Sequence, residues 1–177
     1  MQEHGLKISE LVTLFNLEVL NRGSDYDTAL LTITDVNRPG LQFHSFYDYF
    51  DPRRLQVLGK AEITYLKGLT TEQRRKCFDD LFLYDIPALV ISRGLDCFPE
   101  CLESARVHER TLLRTEETTV EFTSHTIEYL NRVLAPCVTR HGVLLDISGE
   151  GVMITGDSGI GKSESAIELI MRGHRLV

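Results

Sequence analysis

Eight consecutive residues near the end of the sequence have the composition and spacing of a phosphate-binding loop. The run Gly156-Asp-Ser-Gly-Ile-Gly-Lys-Ser163 follows an apolar segment and precedes a segment with helical periodicity. Strand, glycine-rich loop and helix in this order are what a P-loop requires. We therefore predict that the phosphates of a nucleotide are bound by these residues: Gly156, Asp157, Ser158, Gly159, Ile160, Gly161, Lys162 and Ser163.

The residue types of this loop suit a triphosphate. Glycine allows backbone dihedrals that point several N–H groups at one anion, and the start of the helix adds its positive dipole end. The Lys162 ammonium can reach the β and γ phosphates, and the Ser163 hydroxyl is placed to ligate a bridging Mg²⁺. The alternative is a structural turn without a ligand, for which a lysine among three glycines is poorly suited.

Two strands and one helix must position the loop. Gly142–Ser148 and Val152–Thr155 are predicted strands joined by Gly149–Gly151, and the helix runs on to Arg172 with Gly173 as its C-terminal cap. The packing face of this helix is predicted from three apolar residues at helical spacing: Ala166, Ile167 and Ile170.

Two further titratable residues flank this unit. His141 directly precedes the first strand, a position where most histidines are ordinary surface or hydrogen-bonding residues. Glu164 follows the loop serine, where an acidic residue in the first helical turn is favourable in itself. The residues alone do not separate these roles from catalytic ones.

The four cysteines are Cys77, Cys97, Cys101 and Cys137. The pair Cys97 and Cys101 with His108 nearby raises the alternative of a metal site, but the spacing matches no common zinc pattern. We expect reduced, mostly buried thiols instead.

Composition is that of an ordinary globular protein. The 177 residues are 42% hydrophobic and 25% charged, with a net charge of -7. That charge argues against nucleic-acid and anionic-membrane partners. Residues 1–8 lack the features of a signal peptide, and no apolar run reaches the length of a membrane helix, so we expect a cytoplasmic protein without a membrane partner.

Strand and helix patterns alternate before the loop unit, which predicts an α/β fold. Predicted helices are Ile8–Phe15, the aromatic run Phe43–Phe50, a helix capped by Thr70 and Gln73 that runs toward Leu83, Pro99–Val107 and Phe122–Leu134. For the aromatic run, the alternative is a surface on which bases or sugars stack. Predicted strands are Leu17–Leu20, Leu30–Ile33, Ala88–Ile91 and Thr111–Leu113, and Asp35–Gly40 is predicted to be a turn. We place a domain boundary in 132–140, which gives an N-terminal α/β domain, 1–132, and a P-loop domain that begins at 133.

Several segments together resemble a known family, the bacterial HPr kinase/phosphorylases. The resemblance covers nearly the whole chain and is carried by these segments: Asn37–Leu41, Phe46–Phe50, Gln56–Lys60, Ser92–Leu95, Thr139–Asp146, Gly151–Leu169 and Arg172–Val177. The P-loop alone is generic. With His-Gly-Val-Leu before it and Arg-Gly-His-Arg-Leu-Val after it, the match is close to diagnostic.

The resemblance implies an ATP-dependent kinase that phosphorylates a serine of the phosphocarrier protein HPr, and a reverse phosphorolysis that uses inorganic phosphate and yields pyrophosphate. It implies that Gly156–Ser163 binds the nucleotide, that Ser163 helps to hold Mg²⁺, that Lys162 stabilises charge on the transferred phosphoryl group and that His141 is an active-site residue. It also implies a homohexamer formed by the kinase domains and a role in carbon catabolite control. The N-terminal domain has no comparable set of catalytic residue types, and we expect it to be a regulatory or assembly module.

One departure from the family pattern bears on activity. The family's acid/base aspartate lies just beyond Arg-Gly-His-Arg-Leu-Val, and the sequence given stops at Val177. We therefore expect 133–177 to represent a truncated kinase domain and the 177-residue chain to have little or no transferase activity. Two other hypotheses stay open: a different P-loop enzyme, such as a small-molecule kinase or NTPase, and a separable binding module in 1–132.

Overall fold

The first of two compact units ends at Ala135 and is organised by a five-stranded sheet. The computed structural model describes residues 5–177, so the first four of the residues 1–8 that lack signal-peptide features lie outside it. The strands of this unit are β1 (Leu6–Lys7), β2 (Glu18–Asn21), β3 (Leu30–Leu31), β4 (Val36–Asn37), β5 (Leu55–Leu58), β6 (Leu89–Ile91) and β7 (Leu112–Arg114). Its α-helices are α1 (Ile8–Leu14), α2 (Lys60–Lys67), α3 (Thr71–Phe82), α4 (Pro99–Val107) and α5 (Thr119–Val133).

The strand order of the main sheet is β2-β7-β6-β5-β4. Strands β4 to β7 run parallel to one another, and β2 closes one edge antiparallel to β7. Strands β1 and β3 form a separate antiparallel pair. Parallel strands joined by helices confirm the predicted α/β class.

Alternate residues of the central strands enter two different cores. Leu58, Leu89 and Ile91 face the core formed with α2, α3 and α4, which includes Phe78 and Phe82. Strand residues of the opposite face lie in the core formed with α1 and α5: Leu55, Val57, Ala88, Val90 and Leu113. The sheet is therefore covered on both faces, as a parallel sheet requires.

Helix ends that the sequence marks are found where expected. The Thr70 hydroxyl accepts the Gln73 N–H at 3.3 Å, and the Gln73 side chain accepts the Thr70 N–H at 2.9 Å, which confirms the predicted cap of α3. Pro99 opens α4 as predicted. Helix α5 begins earlier than the predicted Phe122, because Thr118 and Glu121 form a second reciprocal cap.

The prediction of a helix over the aromatic run was wrong. Only Gln42–His44 forms a short 3₁₀ turn, and the chain then reverses with φ of 60° at Ser45 and 109° at Tyr49, values that a helix interior excludes. Phe43 enters a core, whereas Tyr47 stacks on Tyr84 with ring centroids 4.8 Å apart.

Strand β5 and helix α2, in the middle of the unit, were not predicted from the sequence. Strand β5 contains a polar residue, Gln56, which is fully buried because it accepts a hydrogen bond from Asn37 at 2.7 Å and donates one to the Arg54 carbonyl at 2.7 Å. Helix α2 follows it immediately. The predicted turn Asp35–Gly40 contains the short strand β4, which pairs with β5.

The second unit, Pro136–Val177, is a small antiparallel sheet with one helix. Its elements are β8 (Gly142–Ile147), β9 (Glu150–Thr155), α6 (Lys162–Met171) and β10 (Arg175–Leu176), with strand order β10-β8-β9. Strands β8 and β9 form a hairpin whose two-residue turn, Ser148–Gly149, has φ of 56° and 89°. Positive φ at both positions matches the right-handed twist of a hairpin.

Little of the second unit is buried. Among its hydrophobic side chains, Leu145 at 0% and Ala166 at 4% exposure are the buried ones in the described chain. Ile167 and Ile170, predicted to form the packing face of the helix, are 58% and 40% exposed. Helix α6 therefore buries only a narrow strip of its predicted apolar face.

Candidate nucleotide-binding site

The predicted phosphate-binding loop lies between the end of β9 at Thr155 and the start of α6 at Lys162. Its three glycines have positive φ: 152° at Gly156, 83° at Gly159 and 93° at Gly161. A Cβ at Gly159 would meet nothing within 4 Å, so the glycine there is required by backbone conformation and not by space. The loop has the backbone shape that the sequence demanded.

Helix α6 begins without a side-chain cap. Its N-cap is Gly161, and the Ser165 N–H donates to the Gly161 carbonyl at 3.0 Å. The amides before Ser165, including those of Lys162 and Ser163, receive no intrahelical partner. These donors are the ones that an anion at a helix start would use.

Lys162 folds back over the loop that precedes it. Its ammonium donates to the Gly156 carbonyl at 2.8 Å and to the Asp157 carbonyl at 2.5 Å. The lysine therefore ties the two ends of the loop together. The residue pattern predicts only a role toward phosphate for Lys162, and nothing in the sequence indicates these carbonyl contacts.

His141 is exposed and directly precedes β8. Gly142, its neighbour, pairs with Thr155, the last residue of β9 before the loop. The strand register thus places His141 at the same end of the hairpin as Gly156. Ser163 is exposed in the first turn of α6, beside Lys162 in sequence.

The predicted site residues therefore lie at one end of the second unit. Their positions alone do not establish a catalytic or metal-binding role. Over residues 5–177, no group of three or more His, Cys, Asp or Glu side chains is arranged to hold a metal ion. A P-loop Mg²⁺ site needs no such group, because phosphate oxygens supply part of its coordination. The Ser163 hydroxyl stays the predicted protein ligand.

The cysteines are free thiols. Cys77 and Cys101 are buried, Cys97 is partly exposed and Cys137 is exposed. His108, weighed as a ligand beside Cys97 and Cys101, instead lies 3.4 Å from the Asp79 carboxylate. Across the described part of the chain, no helix is both long and apolar enough to cross a membrane.

The chain combines an α/β unit with a second unit, Pro136–Val177, that carries the predicted phosphate-binding loop. The profile described as HPr Serine kinase N terminus matches residues 6–130, and the profile described as HPr Serine kinase C-terminal domain matches 132–177. The chain belongs to the HPr serine kinase family.

Curated relatives named HPr kinase/phosphorylase agree with this assignment. The protein of Alkaliphilus metalliredigens is 47% identical over 172 residues, which are 97% of this chain and 55% of the relative. That of Clostridium beijerinckii is 47% identical over 173 residues, which are 98% of this chain and 57% of the relative. The chain thus spans about half the length of these relatives.

A solved structure shares the fold at low sequence identity. It contains the CBS and DRTGG domains of the regulatory region of a Clostridium perfringens pyrophosphatase, in complex with the activator diadenosine tetraphosphate. The TM-score is 0.52 at 11% identity, over 94% of this chain and 60% of the other. The likeness concerns the fold alone.

Proposed function

We propose that this chain is the front part of an ATP-dependent kinase that phosphorylates a serine of the phosphocarrier protein HPr. The observation that carries the proposal is the loop Gly156–Ser163, whose three glycines have positive φ, within a chain of the HPr serine kinase family. The reverse reaction would be phosphorolysis of seryl-phosphorylated HPr, with inorganic phosphate consumed and pyrophosphate released. The curated relatives bear both activities in their name.

The loop residues fit the triphosphate of ATP with bound Mg²⁺. Three left-handed glycines and the uncapped start of α6 offer backbone N–H donors to one anion. Lys162 would exchange its carbonyl contacts at Gly156 and Asp157 for phosphate oxygens, and Ser163 would hold Mg²⁺. When bound, the ion would supply charge neutralisation to the phosphates.

The remaining residue role is assigned to His141. The register that sets Gly142 against Thr155 supports a position beside the loop, where an imidazole could contact a phosphoryl group or its acceptor. We propose His141 as an active-site residue on that ground. Among the contacts of residues 5–177, none pairs His141 with a charged side chain that would define its role more closely.

The broader setting follows from the family. We propose a cytoplasmic homohexamer assembled through its kinase domains, with a role in carbon catabolite control and without nucleic-acid or membrane partners. The first unit would be a regulatory or assembly module, since its two cores form without any residue of 136–177.

Phosphoryl transfer from Mg·ATP to HPr by the complete gene product tests the function. We expect phosphate on a serine of HPr and loss of transfer in Lys162→Ala. Lys67→Ala, which removes an exposed lysine from the end of α2, is the matched control and should transfer phosphate like the parent protein. The 177-residue chain alone should give little or no transfer.

Two other outcomes have definite meanings. Binding of Mg·ATP without transfer to HPr would contradict the substrate and favour a different P-loop kinase or NTPase. If both Lys162→Ala and Gly161→Ala bind nucleotide like the parent protein, the assignment of the nucleotide to the loop Gly156–Ser163 is contradicted.

The division into two parts has its own test. Limited trypsin digestion should cut in 132–140, where Arg132 and Arg140 lie near the boundary between Ala135 and Pro136, and leave a stable front fragment. A digest in which the front fragment is degraded as fast as the second unit would contradict a separable module.

A further inference from the structure

A cavity of about 370 Å³ lies between the end of α1 and one side of α5, in the first unit. Its volume falls in the range of small-molecule binding sites. The lining residues are Leu14, Phe15, His125, Glu128, Tyr129 and Arg132. All of them precede Pro136, so the cavity belongs to the first unit and not to the loop Gly156–Ser163.

The walls of this cavity are apolar and partly uncovered. The rings of Phe15 and Tyr129 meet edge to face, with centroids 6.3 Å apart and an interplanar angle of 83°. Leu14, beside them in the lining, is 46% exposed. Two nearly perpendicular rings and an exposed leucine offer contact area to the flat apolar body of a ligand.

Arg132 brings a positive charge to the cavity. Its guanidinium carbon lies over the Tyr129 ring, 5.1 Å from the ring centroid. A guanidinium stacked on an aromatic face keeps its N–H donors in one plane, where a carboxylate or a phosphate can accept two of them.

Within residues 5–177, Arg132 has no carboxylate partner, unlike most arginines of the first unit. Eight of the eleven arginines there lie within 4.0 Å of a carboxylate oxygen, which leaves Arg93, Arg106 and Arg132. Glu128 stands four residues before Arg132 on α5, a spacing at which opposite charges can pair, yet no ion pair joins them in the described chain. The guanidinium is therefore open to an anion from outside the chain.

His125 adds a second polar group to the lining. Its Nδ1 lies 3.1 Å from a carboxylate oxygen of Glu117. Because an ionised carboxylate only accepts, Nδ1 carries the hydrogen of this bond, and Nε2 is left for another partner. Glu117 thus holds the imidazole in place at the cavity.

We propose that this cavity binds a small ligand with an aromatic body and a carboxylate or phosphate group. The aromatic body packs against Leu14, Phe15 and Tyr129, and the anionic group accepts hydrogen bonds from the Arg132 guanidinium. Glu128 opposes the anion, so the effect of its removal distinguishes an anionic ligand from a cationic one. The site gives the first unit a ligand of its own and does not depend on the proposed kinase reaction.

Four probes with the same phenyl ring test this chemistry: benzoate, phenyl phosphate, the neutral benzyl alcohol and the cationic benzylamine. Each is titrated into the isotopically labelled 177-residue chain, and backbone amide shifts are followed by NMR. We expect both anions to shift the amides of Leu14, Phe15 and Tyr129, and to bind at least about threefold more tightly than the other two probes. The anion that binds more tightly identifies the preferred head group.

Three results would overturn the proposal. The first is that neither anion shifts these three amides at millimolar concentration. The second is that the shifts are confined to Gly156–Ser163, which would mean that the anions bind only at the predicted phosphate-binding loop. The third is that benzylamine or benzyl alcohol binds at the cavity as tightly as the anions.

Charge variants test the residues assigned to the anion. Arg132→Gln should weaken binding of the tighter anion about five- to tenfold and leave benzyl alcohol unchanged. Arg106→Gln is the matched control, because it removes another exposed arginine without a carboxylate partner, from α4 on the opposite face of the sheet. It should bind every probe like the parent chain.

Glu128→Gln should act in the opposite direction and strengthen anion binding about two- to threefold. Equal losses in Arg132→Gln and Arg106→Gln, or weaker anion binding in Glu128→Gln, would refute the assigned charges. The three substituted residues are exposed, and circular dichroism establishes that each variant compared is folded.

Discussion

The two units of this chain obtain their order in different ways. The first unit buries large side chains on both faces of a parallel sheet, and three of its helices begin with a reciprocal backbone and side-chain cap or with proline. The second unit buries Leu145 and Ala166 and leaves Met153, Ile167 and other apolar groups exposed. The predicted site therefore lies in the unit with the smaller hydrophobic stabilisation.

The largest loss of stability should follow when a substitution creates a cavity in the core of the first unit. Phe122 is fully buried, and its ring lies 5.8 Å from that of Phe15 in an edge-to-face arrangement. Phe122→Ala should lower the free energy of unfolding of this unit by about 3–5 kcal/mol, because transfer and cavity costs add. Urea unfolding followed by circular dichroism measures it.

A neighbouring residue of α5 provides the control. Val120 is 71% exposed, so Val120→Ala should change the free energy of unfolding by no more than about 0.5 kcal/mol. Similar losses in both variants would contradict the view that the first unit is stabilised by the core on this face of its sheet.

The next largest loss of stability should come from replacing a buried carboxylate. Glu62 is 8% exposed, accepts a hydrogen bond from Arg38 at 2.8 Å and accepts the Gly59 N–H at 2.9 Å. Burial works to raise the pKa of Glu62, but these hydrogen bonds outweigh it and hold the pKa below its ordinary value. Glu62→Gln should lower the free energy of unfolding at neutral pH by about 1–3 kcal/mol.

The pH dependence of that loss follows from the lowered pKa. The contribution of Glu62 is fully present above the ordinary glutamate pKa and disappears as the pH falls through the folded-state value. The gap between the parent chain and Glu62→Gln should therefore shrink in acid. The exposed Glu128, changed to Gln, is the matched control and should change the free energy of unfolding at neutral pH by no more than about 0.5 kcal/mol. A gap that grows in acid would contradict the assigned sign.

Local signals allowed much of the first unit to be predicted. The caps at Thr70 and the proline at Pro99 mark helix starts because they satisfy orphan amides or preset φ, both of which depend only on neighbouring residues. Strand β5 escaped prediction because the partner that makes Gln56 acceptable in a core, Asn37, lies on another strand. The helix predicted over the aromatic run does not form, although the aromatic residues have helical spacing. Ser45 and Tyr49 have positive φ, which the spacing does not indicate.

At the candidate site, too, features set by neighbouring residues could be predicted and features set by tertiary contacts could not. The glycine positions required positive φ, which sequence spacing predicts once the P-loop motif is recognised. The contact of Lys162 with two carbonyls depends on how the loop closes, which no residue type encodes. The roles of His141, Lys162 and Ser163 toward a nucleotide remain predictions that binding and transfer experiments decide.

A loop glycine should matter for ligand binding more than for the stability of the first unit. Gly161 has φ of 93° at the start of α6, and an alanine in that region costs about 1–2 kcal/mol. Gly161→Ala should weaken Mg·ATP binding by the complete gene product roughly tenfold, measured by titration calorimetry. Urea unfolding of the first unit should not change. An unaltered affinity would contradict the role of this backbone conformation.

The smallest expected change in the free energy of unfolding concerns the capped start of α3, which differs from the uncapped start of α6. Thr70→Ala removes the hydroxyl that accepts the Gln73 N–H and should lower the free energy of unfolding of the first unit by about 1 kcal/mol. Thr64→Ala, which removes an exposed hydroxyl from inside α2, is the matched control and should cost less. Because α3 satisfies its own amides and α6 leaves them open, Thr70→Ala should not change Mg·ATP affinity. Weakened binding in Thr70→Ala would mean that α3 supports the site, and the assignment of structural caps to the first unit and ligand-binding amides to the second would be wrong.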